Sequence, residues 1–164
     1  MNPAKGGWLI LLSVAVALIL AVVHLPESWP QWLGWLRPAW VAVVVFFWVM
    51  ELPHRLGLIS AWLVGLAADV LQADPLGLNG ILLAAITYIA WRFYERLRMY
   101  SVIQQCGVVF VLVLVSEVLR ALVQDAAWER GLSWGLLLPA GTSMLVWPLV
   151  YLILQRFRVQ FRVE

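Results

Sequence analysis

Long apolar segments separated by short polar breaks run the length of this chain. We count six, at roughly residues 7–25, 36–52, 57–73, 79–91, 102–124 and 135–154. A helix rises about 1.5 Å per residue, so about 17 to 25 residues cross a hydrocarbon core about 30 Å thick. The fourth segment is short unless its helix continues past Trp91 while the arginines that follow reach the interface. The pattern predicts an all-α integral membrane protein, a six-transmembrane-helix bundle forming a single polytopic domain over residues 1–164.

Composition supports this class, because 64% of the residues are hydrophobic and only 12% are charged. Mean hydropathy is +0.92, far above that of an ordinary soluble domain. With six spans in 164 residues, little chain remains for an extramembrane domain.

The basic residues predict the orientation, because short loops that stay in the cytoplasm carry an excess of Lys and Arg. Eight fall at the two ends and in the second and fourth connections, namely Lys5, Arg55, Arg92, Arg96, Arg98, Arg156, Arg158 and Arg162. Two fall in the other connections, Arg37 and Arg130. We therefore expect both termini in the cytoplasm. The fourth connection mixes arginines with aromatic residues in RFYERLRMY (92–100), which indicates contact with anionic membrane lipid.

The third segment carries a stripe of small residues that ends in an acid. Gly57, Ala61, Gly65 and Asp69 recur at every fourth position, a spacing that lets another helix approach closely. An ionised side chain in hydrocarbon costs roughly 2.5 to 3.5 kcal/mol, so it normally faces protein or a cavity. Two interpretations of Asp69 stay open: an acid that locks two helices together, and a proton or substrate site.

Candidate partners of Asp69 lie in the fifth segment. Asp69 and Arg120 each precede an outer-corner Asp by five residues, which places them at similar depth. Glu117 shares a helix face with Arg120, because residues three apart are neighbours on a helix. The sequence thus predicts a buried polar network of Asp69, Glu117 and Arg120.

Two tight turns flank the third segment. The inner turn contains Pro53, His54 and Arg55, and the outer turn contains Asp74, Pro75 and Gly77. Pro, Asp and Gly are the residue types that tight reversals use. We interpret both as structural turns and expect no metal or catalytic role for His54.

No recognisable catalytic or metal-binding motif occurs along the chain. The sequence contains no HExxH motif, no Walker A motif and a single cysteine, Cys106. We therefore expect no enzymatic activity, no cofactor, no metal site and no nucleic-acid partner.

The order and spacing of residues 37–105 resemble the rod shape-determining protein MreD family of Gram-negative bacteria. The resemblance rests on Arg37-Pro38, Trp40, Trp48, Pro53-His54-Arg55, Gly57, Gly65, Asp69, Pro75-Leu76-Gly77, Tyr88, and Gln104-Gln105. It implies a multi-pass, non-enzymatic component of the bacterial inner membrane. It also implies a scaffold role in the cell-elongation complex that makes lateral peptidoglycan, with MreC, MreB, and the peptidoglycan polymerase and transpeptidase as partners.

The resemblance also implies a fold similar to the substrate-binding subunits of energy-coupling-factor transporters. The alternative function is therefore a small-molecule-binding subunit of a membrane transporter, with its pocket near Asp69, Glu117 and the sixth span. Copurification separates the two, because a scaffold brings down MreC and a transporter subunit brings down an ATPase module.

Overall fold

The computed structural model describes residues 7–23, 36–123 and 134–161, and these residues are almost entirely helical. The described helices are α1 (Gly7–Val22), α2 (Trp40–Glu51), α3 (Leu58–Gln72), α4 (Leu78–Met99), α5 (Val102–Val123) and α6 (Leu137–Gln160). A short 3₁₀ turn, Trp134–Leu136, leads into α6. The all-α prediction is confirmed for this part of the chain. Lys5, Arg130 and Arg162, which entered the charge count, lie outside the described residues.

Two of these helices, α5 and α6, are long and apolar enough to cross a membrane. Helices α1, α2 and α3 are apolar but shorter. The 12 residues of α2 extend only about 18 Å at 1.5 Å per residue. That each helix crosses the bilayer therefore stays a prediction. Helix α4 continues to Met99, eight residues beyond the predicted end of its apolar segment.

Helix α2 lies at the centre of the bundle. Ten of its 12 residues are buried, including Phe46, Phe47 and Trp48. A helix that is apolar all round needs protein or lipid on every face, and here neighbouring helices cover most of α2. Helices α1, α4 and α6 all contact α2, whereas α3 packs mainly against α4, and α5 against α6.

The outward faces of the other helices are apolar. Leu11 and Ile19 on α1, Ile103 on α5 and Leu145 on α6 are largely exposed. In water such surfaces are unfavourable, but in a bilayer the lipid tails cover them. The described part of the chain thus has the exterior of a membrane protein.

Candidate functional site

Helices α3 and α4 pack closely against each other at Gly65. A Cβ built on Gly65 would lie 2.4 Å from Gly80 Cα and 2.5 Å from Asn79 O. Real Cβ atoms do not come so near to backbone, so only glycine allows this packing. Ala61 and Asp69, one turn to either side on the same face, are fully buried. The packing face therefore comprises Ala61, Gly65 and Asp69.

Gly57, the first position of the predicted stripe, lies outside this face. It is the N-cap residue of α3, it is exposed, and nothing lies within 4 Å of where its Cβ would be. The four-residue spacing of small residues extends to Gly57, but α4 does not pack against that position.

The carboxylate of Asp69 caps the N-terminus of α4. The Gly77 N–H donates to Oδ2 and the Asn79 N–H donates to Oδ1, both at 2.8 Å. The first N–H groups of a helix have no partner within it, and the helix dipole favours a negative charge there. Asp69, a residue of α3, thus provides the hydrogen-bond acceptors that a capping side chain at the start of α4 would otherwise provide.

The outer turn brings these groups together. Asp74 N–H donates to Asp69 O at 3.1 Å, and Leu78 N–H donates to Pro75 O at 3.1 Å. Gly77 has φ +95°, in the left-handed region that glycine adopts without strain. The turn formed by Asp74, Pro75 and Gly77 therefore reverses the chain within a few residues and returns the start of α4 to Asp69.

Asn79 connects this cap to α5. Its side-chain carbonyl accepts a hydrogen bond from Arg120 Nη2, and its amide donates to Asp74 Oδ2 at 3.0 Å. Arg120 Nη1 also lies 4.0 Å from Asp74 Oδ2. The structure thus links Arg120 to Asp69 through Asn79, whereas the sequence analysis offered Arg120 and Glu117 as candidate partners of Asp69. Sequence reasoning had not selected Asn79 as a member of this site.

Glu117 borders the same cluster. It interacts electrostatically with Arg120 and with Asp74. It continues the inward face of α5, four residues after buried Val113. We therefore place it at the edge of a cluster whose centre is the Asp69 cap.

The inner turn, at the other end of α3, is also present. Residues 53–55 form the turn between α2 and α3, with Arg55 N–H donating to Leu52 O at 3.0 Å. His54 is exposed and Pro53 is partly buried. No group of three or more His, Cys, Asp or Glu in the described ranges could hold a metal ion.

Two further sets of polar contacts, which sequence reasoning missed, join helices near the opposite end of the bundle. Arg158 on α6 forms an ion pair with Glu51, the last residue of α2. Gln105 donates to Leu97 O at 3.2 Å and accepts from Trp147 Nε1 at 3.3 Å, which ties α4, α5 and α6 together. Matching the depth of charged residues at helix ends would have paired Glu51 with Arg158.

A small apolar cavity in the described part of the chain lies away from Asp69. Its volume is about 10 Å³, between α2, α4 and α5, with Phe46, Ile86 and Val109 in its lining. That volume is about the space of a single water molecule. The polar side chains of the site do not line this cavity; they mainly connect helices to one another.

Comparison with known proteins matches nearly the whole chain to one family. The profile described as rod shape-determining protein MreD matches residues 4–157. The chain is 29% identical over 151 residues to the rod shape-determining protein MreD of Haemophilus influenzae, covering 92% of this chain and 91% of that protein. No solved structure matches the chain.

Proposed function

We propose that this chain, which belongs to the MreD family of rod shape-determining proteins, is a multi-pass inner-membrane scaffold of the cell-elongation complex. In this role it has no catalytic step of its own. It supports rod shape by holding MreC in the membrane, next to the machinery that makes lateral peptidoglycan and to MreB in the cytoplasm. The observation that carries the proposal is the family match over residues 4–157.

The side-chain chemistry of the described residues supports a scaffold. Asp69, Asn79 and Arg120 bind one another or the backbone, and so do Glu51 and Arg158. Polar groups used in this way fix the relative positions of helices, which a scaffold needs to present a constant surface. Asp69 in particular has its carboxylate committed to two backbone N–H groups, which favours a structural lock over a proton or substrate site.

In the described part of the chain, a partner has mainly helix faces to recognise. The connections between α2 and α3, α3 and α4, and α4 and α5 are short, running over residues 52–57, 73–77 and 100–101. We propose that MreC contacts the apolar faces of the spans, where packing and isolated hydrogen bonds drive association.

The topology that accompanies this function has six spans and both termini in the cytoplasm. It is supported by the excess of basic residues on one side and by the cluster of Arg92, Arg96 and Arg98 at the end of α4. Reporter fusions test it. A cytoplasmic reporter fused to either terminus should be active, and activity of a periplasmic reporter at the C-terminus would contradict the proposed topology.

Copurification distinguishes the scaffold from the transporter alternative. The tagged chain is extracted from its native membrane in mild detergent, and the bound proteins are identified by mass spectrometry. The scaffold proposal expects MreC in amounts comparable to the tagged chain. Recovery of an ATPase module without MreC would instead favour a substrate-binding subunit. A tagged polytopic membrane protein of unrelated function, prepared in the same way, controls for nonspecific recovery.

A further inference from the structure

One face of α4 runs from apolar side chains into two arginines. Residues at i, i+4, i+7 and i+11 lie on the same side of a helix. From Ile81 this spacing gives Ala85, Tyr88 and Arg92, and Arg96 follows one turn later. All five are exposed, Ile81 at 66% and Tyr88 at 54%. We call residues 81, 85, 88, 92 and 96 the α4 outer face.

The dimensions of the α4 outer face match those of one lipid. Ile81 and Arg92 are separated by 11 residues, or about 16 Å along the helix. Half of a hydrocarbon core about 30 Å thick is about 15 Å. An acyl chain that lies against Ile81 and Tyr88 would therefore bring its headgroup to the level of the arginines.

The charges at this end of α4 are not balanced within the described residues. No carboxylate in the described ranges forms an ion pair with Arg92 or Arg96. The nearby acid, Glu95, accepts a hydrogen bond from the hydroxyl of Tyr94 at 3.1 Å. Arg92 itself lies over the Phe93 ring at 5.9 Å, which holds the guanidinium close to the helix surface.

We propose that the α4 outer face binds an anionic phospholipid, with the headgroup phosphate between Arg92 and Arg96. Arginines one turn apart can both donate to one phosphate, and the planar guanidinium suits that geometry. The proposal takes α4 to lie in the membrane and goes beyond the scaffold function. The bound lipid lies against the outside of the bundle, with its headgroup near the C-terminal end of α4.

Other helices provide a comparison within the same chain. The exposed face of α6 runs through Leu145, Leu149 and Leu152 to a single arginine, Arg156. One arginine gives a weaker phosphate site than two. The matching face of α5 begins at exposed Ile103 and carries no charge at that end.

Native mass spectrometry of the purified full chain tests the proposal. The protein is titrated with an equimolar mixture of phosphatidylglycerol and phosphatidylethanolamine that carry the same acyl chains. Each basic residue near an anionic lipid surface contributes about 1 kcal/mol, so removing two lowers the preference for phosphatidylglycerol about thirty-fold. We expect this loss in R92Q/R96Q, retention of most of the preference in R92K/R96K, and a smaller loss in R156Q.

Four results would overturn the proposal. The first is an equal preference in the wild type and R92Q/R96Q, and the second is a larger loss in R156Q. The third is displacement of the bound lipid by inorganic phosphate at low millimolar concentration, which would show an anion site that does not need the acyl chains. The fourth is unchanged lipid retention in R92Q/R96Q together with loss of a copurifying protein, which would assign the arginines to protein docking.

Discussion

Replacement of Asp69 is the most informative perturbation of this structure. Asp69 is 0% exposed and accepts two hydrogen bonds, from the N–H groups of Gly77 and Asn79. In D69A both donors at the start of α4 lose their partner while the surrounding helices still exclude water. In D69N the side chain keeps its shape and one acceptor oxygen, but its NH₂ group faces the second N–H donor.

The size of the effect follows from the two bonds. Hydrogen bonds to charged groups contribute about 1.5 to 3 kcal/mol each in soluble proteins, which gives about 3 to 6 kcal/mol for two. Side-chain hydrogen bonds inside membranes contribute less, about 0.6 kcal/mol on average and about 1.7 kcal/mol at most, which gives about 1.2 to 3.4 kcal/mol for two. We expect a loss of about 3 kcal/mol in D69A, where the two ranges meet, and about half of that in D69N.

The single cysteine provides the assay. Cys106 is buried on α5, so a thiol-reactive fluorophore labels it only when the helices separate. Labelling during a temperature ramp in mild detergent reports the unfolding midpoint. The midpoint should fall in the order wild type, D69N, D69A. Asn79 and Arg120 should then gain mobility, because Asn79 is the residue that connects the cap to Arg120.

Equal midpoints for D69A and the wild type would refute the capping argument. A midpoint lowered in D69A but unchanged in D69N would show that the negative charge has no part in it. The same variants test the function proposal, because a structural lock predicts weaker assembly with MreC in proportion to the lost stability. A variant as stable as the wild type that no longer supports rod growth would return Asp69 to the class of substrate or proton sites.

Two further pairs of variants test the close packing of α3 against α4 and the ion pair between Glu51 and Arg158. G65A should lower the free energy of unfolding by about 1 to 3 kcal/mol or more, because its Cβ would lie 2.4 Å from Gly80 Cα, whereas G57A, with nothing within 4 Å, should change it by less than about 1 kcal/mol. Equal unfolding midpoints for the two alanine variants would contradict the close packing. R158Q should lower the free energy of unfolding more than E51Q does, because R158Q leaves the carboxylate of Glu51 without its partner. The side chain of Glu51 is 4% exposed and that of Arg158 is 20% exposed, so an unpaired carboxylate costs more than an unpaired guanidinium. The swapped variant E51R/R158E should recover part of the loss in a double-mutant cycle, and a swap no better than the worse single variant would contradict a direct pair.

Long apolar segments predicted the helices, because membrane-spanning helices consist of long apolar runs. A helix occupies each predicted segment, and α4 and α6 continue to Met99 and Gln160, past the points where their apolar runs stop. The charged end of α4 remains helical because Leu97 still packs against the bundle while the arginines face outward. The family resemblance predicted from residues 37–105 is confirmed over nearly the whole chain.

The partner of Asp69 could not be predicted from side chains, because its direct partners are backbone N–H groups. These groups have no signature in a sequence, and the turn through Gly77 determines which of them face Asp69. Depth matching selected Arg120 as the partner and missed Asn79, whose small amide lies between the two. The pair of Glu51 and Arg158 depends on α2 and α6 meeting at one end, a contact between positions 107 residues apart.

The most direct test of the central claim is cell shape after controlled depletion of this chain in its native host. The length-to-width ratio of the cells is measured as the protein falls, with a wild-type copy and a D69N copy expressed in parallel. A scaffold of the elongation complex predicts that rods become spheres, that the wild-type copy restores them, and that D69N restores them in proportion to its folded amount. Rods that keep their length-to-width ratio while growth becomes limited by a nutrient would contradict the account and favour a transporter subunit.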